Sequence, residues 1–365
     1  MKIKAAVIKA MGEQFEIEEI DLDNPRPDEI IVRIVGVGLC HTDLHMKDRV
    51  KIPIPSVFGH EGAGVVEEVG EHVLNIKPGD HVVLSFNSCG GCDQCLLGNP
   101  SYCRNFQKIN TSGTRIDDSH TLSIDGSPVY GHFFNQSSFA SYALASQNNA
   151  VKVPKDIPIE KLGPLGCGVL TGAGAVLNSL RPSPGSSIAV FGVGSVGLSS
   201  IMAAVVAGCT TIIGVDIKPK RLELAMQFGA THVINSTEED LVEKIQAITG
   251  TGVDFSLDMT AVPSVYRQAI ESLNPTGVCG LVGVPKRGLE ATLDMTDLFW
   301  GRSTRGIVMG DSIPQLFIPQ LINFYKQGRF PYDKLIKYYP IEEINQAVQD
   351  SLDGITVKPV INFNK

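Results

Sequence analysis

The sequence predicts an α/β protein with a β-rich first domain and a second domain built on a doubly wound parallel sheet. The first part of the chain carries short Val- and Ile-rich runs between turn residues, and strand-type and helix-type patterns alternate after about residue 165. The 365 residues suffice for about two domains. We assign residues 1–168 and 311–365 to the first domain and residues 169–310 to the second.

The β-rich domain is predicted from runs of β-branched residues bounded by Gly, Pro, Asp or Asn. These runs are KAAVIKA, EIIVRIVGVG, GAGVVEEVG and DHVVLSF. Residues 108–138 are polar and uneven, which predicts a long loop at a functional rim. The final apolar run, VKPVINF, predicts a strand that returns to the first domain.

The second domain is predicted from continuous apolar runs, which are typical of strands buried on both faces. The runs are SSIAVFGVG, TTIIGVDI, THVINS, VDFSLDMT and VCGLVGV, and helical patterns lie between them. This alternation indicates a parallel sheet covered by helices on both sides.

Charge and hydropathy make several classes of partner unfavourable. The net charge is −8 and no basic cluster is present, so we expect neither nucleic-acid nor membrane binding. The uncharged stretch 182–215 could be a transmembrane helix, but its glycines and prolines favour a buried strand, turn and helix. The N-terminal region lacks the apolar segment of a secretory signal, so we expect a cytoplasmic protein.

The strongest single motif is a group of four cysteines: Cys89, Cys92, Cys95 and Cys103. Four thiolates at this spacing can close a tetrahedral shell around Zn²⁺ and leave no position for substrate, so the metal would be structural. The alternatives are an iron–sulfur cluster or disulfides. The expected cytoplasmic location is unfavourable to disulfides.

A second set of metal-type ligands is dispersed along the chain: Cys40, His60 and Cys167. Each has an alternative interpretation, because a free cysteine is most often a small buried hydrophobic residue and His60 could be a hydrogen-bonded loop histidine. From the residues alone, a zinc site and these structural roles both remain open.

A glycine-rich turn follows the first strand of the second domain. Gly192, Gly194 and Gly197 form a G-x-G-x-x-G pattern before a helical run, and Asp216 ends the next strand. In a dinucleotide site, such glycines allow the tight turn and the approach of a pyrophosphate, while the acidic residue binds the adenosine ribose. The acid would repel a 2′-phosphate, which favours NAD over NADP. The alternative is a glycine-rich turn that binds no ligand.

The combination of these motifs resembles a known family. Gly59-His60-Glu61, followed by Gly64, Gly70 and Val73, is similar to the signature of zinc-containing medium-chain alcohol dehydrogenases, and within that family to aryl (benzyl) alcohol dehydrogenases. The resemblance implies a GroES-like catalytic domain, a Rossmann coenzyme domain, two Zn²⁺ per chain and NAD. It also implies reversible oxidation of a primary, aromatic or allylic alcohol to the aldehyde, by a homo-oligomer that is a tetramer rather than a dimer.

The resemblance also implies roles for individual residues near the metal. Cys40, His60 and Cys167 match the ligands of the catalytic zinc, and the four clustered cysteines match those of the structural zinc. The remaining matches are Asp43, which would hold the His60 ring, Thr42 and His45, which would relay a proton to solvent, and Glu61, which could transiently bind the metal.

Further residues are implied for coenzyme and substrate. Arg221 matches a basic residue near the ribose, and Lys358 matches a basic residue that faces the pyrophosphate. Val284 matches a coenzyme-binding position. His41 stands where many relatives have an arginine against the pyrophosphate. The substrate pocket would include Phe86, Phe133 and Phe134, and their alternative is ordinary packing at the rim.

Two competing functions follow from the same motifs. A glutathione-dependent formaldehyde dehydrogenase or a polyol dehydrogenase belongs to the same superfamily; the first commonly lacks a histidine at the position of His45, and the second often lacks the cysteine group. From a different class, the chain could be a catalytically silent dinucleotide-binding protein, but such relatives usually lose the zinc ligands.

Overall fold

The structure is a computed structural model that describes residues 1–48, 52–237 and 240–363. The chain divides into two compact units. The first comprises Met1–Cys167, Ile313–Ile322 and Asp333–Lys365, and the second comprises Gly168–Ser312 and Asn323–Tyr332. The predicted bounds gave residues 1–168 and 311–365 to the first domain, whereas residues 168, 311 and 312 and the segment Asn323–Tyr332 group with the second unit. One reason is that Arg329 donates a hydrogen bond to the Val206 carbonyl oxygen, at 3.2 Å.

Several strands of the described residues coincide with the Val- and Ile-rich runs of the sequence. In chain order they are β1 (Lys2–Ile8), β2 (Glu16–Leu22), β3 (Glu29–Gly38), β4 (Ser56–Val57), β5 (Gly62–Val69), β6 (His81–Leu84), β7 (Leu122–Ile124), β8 (Ser127–Val129), β9 (Tyr142–Ser146), β10 (Ala150–Lys152), β11 (Ser187–Phe191), β12 (Thr211–Asp216), β13 (His232–Asn235), β14 (Val253–Asp258), β15 (Leu273–Leu281), β16 (Ser303–Gly306), β17 (Ile336–Pro340) and β18 (Lys358–Asn362).

The helices lie mostly in the second half of the chain. In chain order they are α1 (His41–Lys47), α2 (Asp93–Leu96), α3 (Phe106–Thr111), α4 (Gly168–Gly174), α5 (Ser195–Ala207), α6 (Pro219–Gln227), α7 (Leu241–Thr249), α8 (Pro263–Glu271), α9 (Met295–Phe299), α10 (Pro314–Lys326) and α11 (Ile344–Asp353). No helix in the described ranges is both long enough and apolar enough to cross a lipid bilayer.

The first unit is rich in β-structure, as predicted. One sheet has the strand order β4-β1-β2-β7-β8, and another has the order β10-β6-β5-β3-β18-β17, with β9 also paired to β3. The central strand β3 is buried along nearly its whole length, because both of its faces are covered. The prediction for the last apolar run is confirmed, since β18 pairs antiparallel with β3, for example Ile361 with Val37.

The prediction of a long loop over residues 108–138 is wrong in part. The segment contains the hairpin β7–β8, which extends the first sheet by pairing with β2. These strands are short and few of their residues are buried, so the sequence carries no clear period-2 pattern. Arg115 fixes the segment to β3, since its guanidinium donates to both carboxylate oxygens of Glu29 at 2.7 and 2.9 Å.

The second unit is a parallel sheet with helices between its strands, as predicted. The strand order is β13-β12-β11-β14-β15-β16, and every neighbouring pair is parallel. The order reverses beside β11, because the chain runs outward first through β12 and β13 and then through β14 to β16. Such a reversal opens a crevice at the carboxyl ends of the strands, where ligands of this type of sheet bind.

Candidate metal and coenzyme sites

Three metal-type ligands from distant parts of the sequence meet in the first unit. Cys40 lies between β3 and α1, His60 lies just before β5, and Cys167 directly precedes α4. Their ligand atoms all lie within 4.8 Å of one another, and His60 Nε2 is 3.2 Å from Cys167 Sγ. The structure thus brings together the dispersed residues that the sequence analysis grouped.

The buried carboxylate of Asp43 orients two of these ligands. Its Oδ1 is 2.8 Å from His60 Nδ1 and accepts the Gly59 N–H at 3.0 Å, while its Oδ2 accepts the Cys40 N–H at 3.0 Å. Because Nδ1 faces the carboxylate, Nε2 is the ring nitrogen that remains for a metal.

The protonation of the cluster follows from these contacts. Burial alone would lower the pKa of the His60 imidazole, but the neighbouring Asp43 carboxylate raises that pKa well above its ordinary value. A hydrogen bond from Cys167 lowers the pKa of the Cys40 thiol well below its ordinary value. These shifts favour the thiolate form of Cys40, which is the form that binds a metal, and a metal at His60 would have to compete with a proton for Nε2.

The chemistry of this donor set fits Zn²⁺. Two thiolates and one imidazole are a common ligand set of catalytic zinc sites, in which the fourth position stays open. Zinc–ligand bonds of about 2.0–2.3 Å place neighbouring ligand atoms roughly 3.5–3.8 Å apart around a tetrahedral ion. The observed separations, all within 4.8 Å, are close to this geometry. The three residues can hold one zinc ion and leave room for one further ligand.

The four clustered cysteines form a second metal-type site in the first unit. Their sulfur atoms all lie within 4.8 Å, with Cys92 and Cys95 3.5 Å apart, and every one is a free thiol, so they do not pair as disulfides. Backbone N–H groups point at the sulfurs, since Cys89 donates to Cys103 Sγ at 3.3 Å and Arg104 donates to Cys92 Sγ at 3.5 Å. The Arg104 N–H lowers the pKa of Cys92 to about 6. The site fits a closed shell of four thiolates around Zn²⁺.

Glu61 and Lys358 form a buried ion pair in the first unit. Lys358 Nζ lies 3.0 and 2.9 Å from the two carboxylate oxygens of Glu61 and 3.4 Å from the Leu39 carbonyl oxygen. Burial opposes the charge on Lys358, but the Glu61 carboxylate raises the pKa of the ammonium to about 12. In the structure the ammonium binds Glu61, and its contact with a pyrophosphate stays a prediction.

Helix α1 carries the residues predicted for proton relay. It begins at His41, directly after the ligand Cys40, and Thr42 and His45 lie three positions apart, on one face of the helix. Both side chains are partly exposed, and His41 is exposed. The helix therefore connects the neighbourhood of Cys40 to solvent.

Phenylalanine rings pack against the His60 imidazole. The ring centroid of Phe134 lies 4.6 Å from that of His60, and the Phe133 centroid lies 5.3 Å from it. Phe86 is also buried and is linked to Phe134 through Phe106, whose ring lies 5.8 Å from Phe86 and 6.2 Å from Phe134. Phe106 could not be predicted as a member of this group, because most of its neighbours in α3 are polar and form no apolar pattern.

The glycine-rich turn of the second unit has the form expected of a dinucleotide site. Gly192 follows β11 with φ of +89°, a left-handed conformation that favours glycine. A Cβ at Gly197 would lie 2.1 Å from the Gly192 carbonyl oxygen, so only glycine allows α5 to approach the turn so closely. The first turn of α5, with its free N–H groups, follows Gly194 directly.

Asp216 lies at the end of β12, beside this turn. Its Oδ2 accepts the Val193 N–H at 2.9 Å, and its Oδ1 accepts the Lys218 N–H at 2.9 Å. Arg221 Nη1 is 3.7 Å from Oδ2. Val284, which follows β15, is 72% exposed and therefore accessible to a ligand. The turn, the helix start and the acidic residue fit a nicotinamide dinucleotide.

Comparison with known proteins agrees with this geometry. Residues 26–155 match the alcohol dehydrogenase GroES-like domain, and residues 195–327 match the zinc-binding dehydrogenase family. The chain is 44% identical to a geraniol dehydrogenase of Castellaniella defragrans, over 99% of this chain and 97% of that enzyme.

Solved structures show the same fold over the full length. An alcohol dehydrogenase zinc-binding domain protein from Burkholderia ambifaria is 53% identical, with a TM-score of 0.98. The benzyl alcohol dehydrogenase of Acinetobacter calcoaceticus is 47% identical, with a TM-score of 0.97, and both matches cover 100% of each chain. The chain therefore belongs to the zinc-containing medium-chain alcohol dehydrogenase family.

Proposed function

We propose that this alcohol dehydrogenase oxidises primary aromatic or allylic alcohols to aldehydes, reversibly, with NAD as the hydride acceptor. The observation that carries the proposal is the set of phenylalanine rings against His60, one of the three candidate zinc ligands. An aromatic surface beside the metal favours a substrate whose hydroxyl-bearing carbon adjoins a flat π system. The names of the similar geraniol and benzyl alcohol dehydrogenases support such a substrate.

The residues of the first unit have separate parts in this reaction. Zinc held by Cys40, His60 and Cys167 would supply a Lewis acid that lowers the pKa of the alcohol, and NAD would accept the hydride. Thr42 would accept the hydroxyl proton while its own proton passes on, and His45, which is partly exposed, would release a proton to water.

Aromatic selectivity can be measured directly. We expect kcat/KM for benzyl alcohol to exceed that for ethanol at least tenfold, or ~1.4 kcal/mol, because a flat ring gains contact area and ring–ring contacts. Phe134→Ala should reduce this ratio. Phe228→Ala, which removes a buried ring in the second unit, should leave the ratio unchanged. Initial rates of NADH formation with both alcohols test this.

Other outcomes of the same assay would point to other functions. Equal kcat/KM for ethanol and benzyl alcohol would contradict an aromatic pocket. A higher kcat/KM with the glutathione adduct of formaldehyde than with benzyl alcohol would favour a glutathione-dependent formaldehyde dehydrogenase. A higher kcat/KM with sorbitol would favour a polyol dehydrogenase.

The preference for NAD is proposed to depend on Asp216. Its carboxylate would hydrogen-bond the adenosine ribose and repel a 2′-phosphate. We expect Asp216→Ala to narrow the ratio of kcat/KM with NAD to that with NADP at least tenfold, or ~1.4 kcal/mol, because Arg221 remains to bind the phosphate. Glu223→Ala, which removes an exposed acid from the following helix, is the control. An unchanged ratio in Asp216→Ala would mean that another residue discriminates between the coenzymes.

We also propose that the protein is a cytoplasmic homo-oligomer, a tetramer rather than a dimer. All of its cysteines are free thiols, which suits a reducing compartment. Strand β16 lies at the edge of the parallel sheet with every residue exposed, and Phe299 and Trp300 just before it are 80% and 62% exposed. Exposed edge strands tend to be covered, and a second copy related by a two-fold axis would cover this one.

The assembly proposal predicts which surface residues matter. Trp300→Asp should produce smaller particles than the wild type in light scattering after gel filtration, because a charge would enter the buried interface. Leu74→Asp, at a still more exposed apolar residue of the first unit, should not change the mass. A wild-type mass for Trp300→Asp would contradict this interface.

A further inference from the structure

One buried amide side chain joins the backbone around His60 to Ser85, the residue that follows strand β6. Gln136 Oε1 accepts hydrogen bonds from Gly62 N at 3.1 Å and Ser138 Oγ at 2.6 Å. Its Nε2 donates to the carbonyl oxygens of His60, at 3.0 Å, and of Ser85, at 3.2 Å. All four contacts are buried, and the amide has no further donor to offer.

Ser85 continues this connection to another ligand. It follows β6, and its hydroxyl donates to the Gly166 carbonyl oxygen at 2.6 Å, in the peptide group that leads directly into Cys167. Hydrogen bonds therefore run from the His60 peptide through Gln136 and Ser85 to the Cys167 peptide. Asp43 makes the matching connection between Cys40 and His60.

The loop that carries Gln136 is held in an unfavourable backbone conformation. Phe134, Asn135 and Ser137 have φ of +50°, +58° and +47°, a region that non-glycine residues rarely occupy. Buried hydrogen bonds maintain it, since Ser137 Oγ donates to the Val57 carbonyl oxygen at 2.7 Å and Asn149 Nδ2 donates to the Asn135 carbonyl oxygen at 3.2 Å. This conformation aims the Gln136 amide at the His60 backbone.

The His60 segment is shaped to receive this amide. A Cβ at Gly62 would lie 2.3 Å from Ser138 Oγ and 3.0 Å from Gln136 Oε1, so a side chain there would push the amide away. The residue after Glu61 therefore has to be a glycine if Gln136 is to reach the backbone on both sides of Glu61.

We propose that Gln136 and Ser85 are positioning residues that hold His60 and Cys167 at the separation a metal ion requires. The proposal rests on zinc binding at Cys40, His60 and Cys167, as argued under the proposed function. Without either link, the two peptide segments could move apart, and the preorganised spacing of His60 Nε2 and Cys167 Sγ would be lost. Partners behind metal ligands typically change metal affinity about 10–100-fold when they are removed.

The test uses full-length protein loaded with Zn²⁺, and separately with Co²⁺ as a spectroscopic probe of the same sites. The variants are Gln136→Ala and Ser85→Ala. Gln147→Ala is the matched control, because Gln147 also bridges backbone groups two residues apart, accepting from Leu74 N at 3.2 Å and donating to the His72 carbonyl oxygen at 3.3 Å. It does so away from the proposed metal ligands.

In competition with a chelator, we expect Gln136→Ala and Ser85→Ala to bind one of the two zinc ions at least about tenfold more weakly than the wild type does. The visible Co²⁺ spectrum should shift in both variants. The metal at the cysteine cluster should keep its wild-type affinity in both. The Gln147→Ala protein should match the wild type in metal affinity and in Co²⁺ spectrum. Wild-type chelator competition and Co²⁺ spectra in both variants would overturn the proposal, even if their melting temperatures fall.

Two controls separate the possible failures. If Gln136→Ala does not fold, Ser85→Ala decides, since it removes a single hydroxyl and leaves the Gln136 amide in place. If the wild type itself binds metal only at the cysteine cluster, the zinc site of the proposed function fails first. If the wild type binds two metal ions and the variants keep its metal affinity and Co²⁺ spectrum, the positioning role is refuted and the proposed zinc site is not.

Discussion

Replacing Cys167 with serine is expected to lower kcat by about a thousandfold or more, ~4 kcal/mol, while the protein remains folded. The reason is that Cys167 would supply one of three protein donors to the proposed open zinc site, so the variant should hold one zinc ion per chain in place of two. Metal analysis, benzyl alcohol turnover and circular dichroism measure the three consequences. NADH should still bind, because the residues proposed to hold it include the glycine-rich turn and Asp216 of the second unit.

The matched control for this variant is Cys209→Ser. Cys209 is a partly buried thiol of the second unit, burial raises its pKa to about 11, and it belongs to neither cysteine cluster. Its replacement should leave metal content and kcat unchanged. Full activity in a Cys167→Ser protein that still holds both zinc ions would show that Cys167 is not a ligand.

Replacing Cys95 with serine should destabilise the protein itself. We expect the melting temperature to fall by at least about 10 °C, or the variant to aggregate, because a structural zinc in the cysteine cluster would contribute directly to folding and the ligand segments have little other packing. The segment has few buried residues, and Leu96 and Leu97 are 76% and 72% exposed, so apolar burial cannot replace the metal. Calorimetry measures the melting temperature and metal analysis the zinc content, with Cys209→Ser as the control for both.

The two cysteine variants should also differ in kind. Cys167→Ser should remain stable and lose turnover, whereas Cys95→Ser should lose stability first. A Cys95→Ser protein with wild-type melting temperature and one missing zinc ion would show that the cysteine cluster is not needed for folding.

The features that could be predicted from the sequence are those with a local signal. The cysteines from Cys89 to Cys103 lie so close in sequence that their backbone spacing alone suggests convergence. The turn at Gly192 is likewise specified within a few residues, by a positive φ and a close helix approach that only glycine tolerates. The parallel sheet was predictable because buried strands appear as continuous apolar runs.

The features that could not be predicted depend on contacts between distant residues. The ion pair between Lys358 and Glu61 was not predicted, because only the folded chain brings the ammonium to the carboxylate. The proposed role of Gln136 could not be predicted, because a single glutamine in a polar segment forms no recognisable pattern. The direction of its side chain depends on the left-handed residues beside it. The hairpin β7–β8 was missed because only a few of its side chains are buried.

The difference in sequence span between the two metal clusters has a consequence for how the protein matures. The cysteines of the compact cluster are all present once residue 103 has been synthesised, whereas the dispersed set needs residue 167. The chain between Cys40 and Cys167 is roughly nine times as long as that between Cys89 and Cys103, so closing it costs about 2 kcal/mol more chain entropy. If both clusters bind zinc as proposed, the compact cluster would be able to close around its ion early in synthesis, whereas the dispersed set would first need the segments that carry Cys40, His60 and Cys167 to fold together.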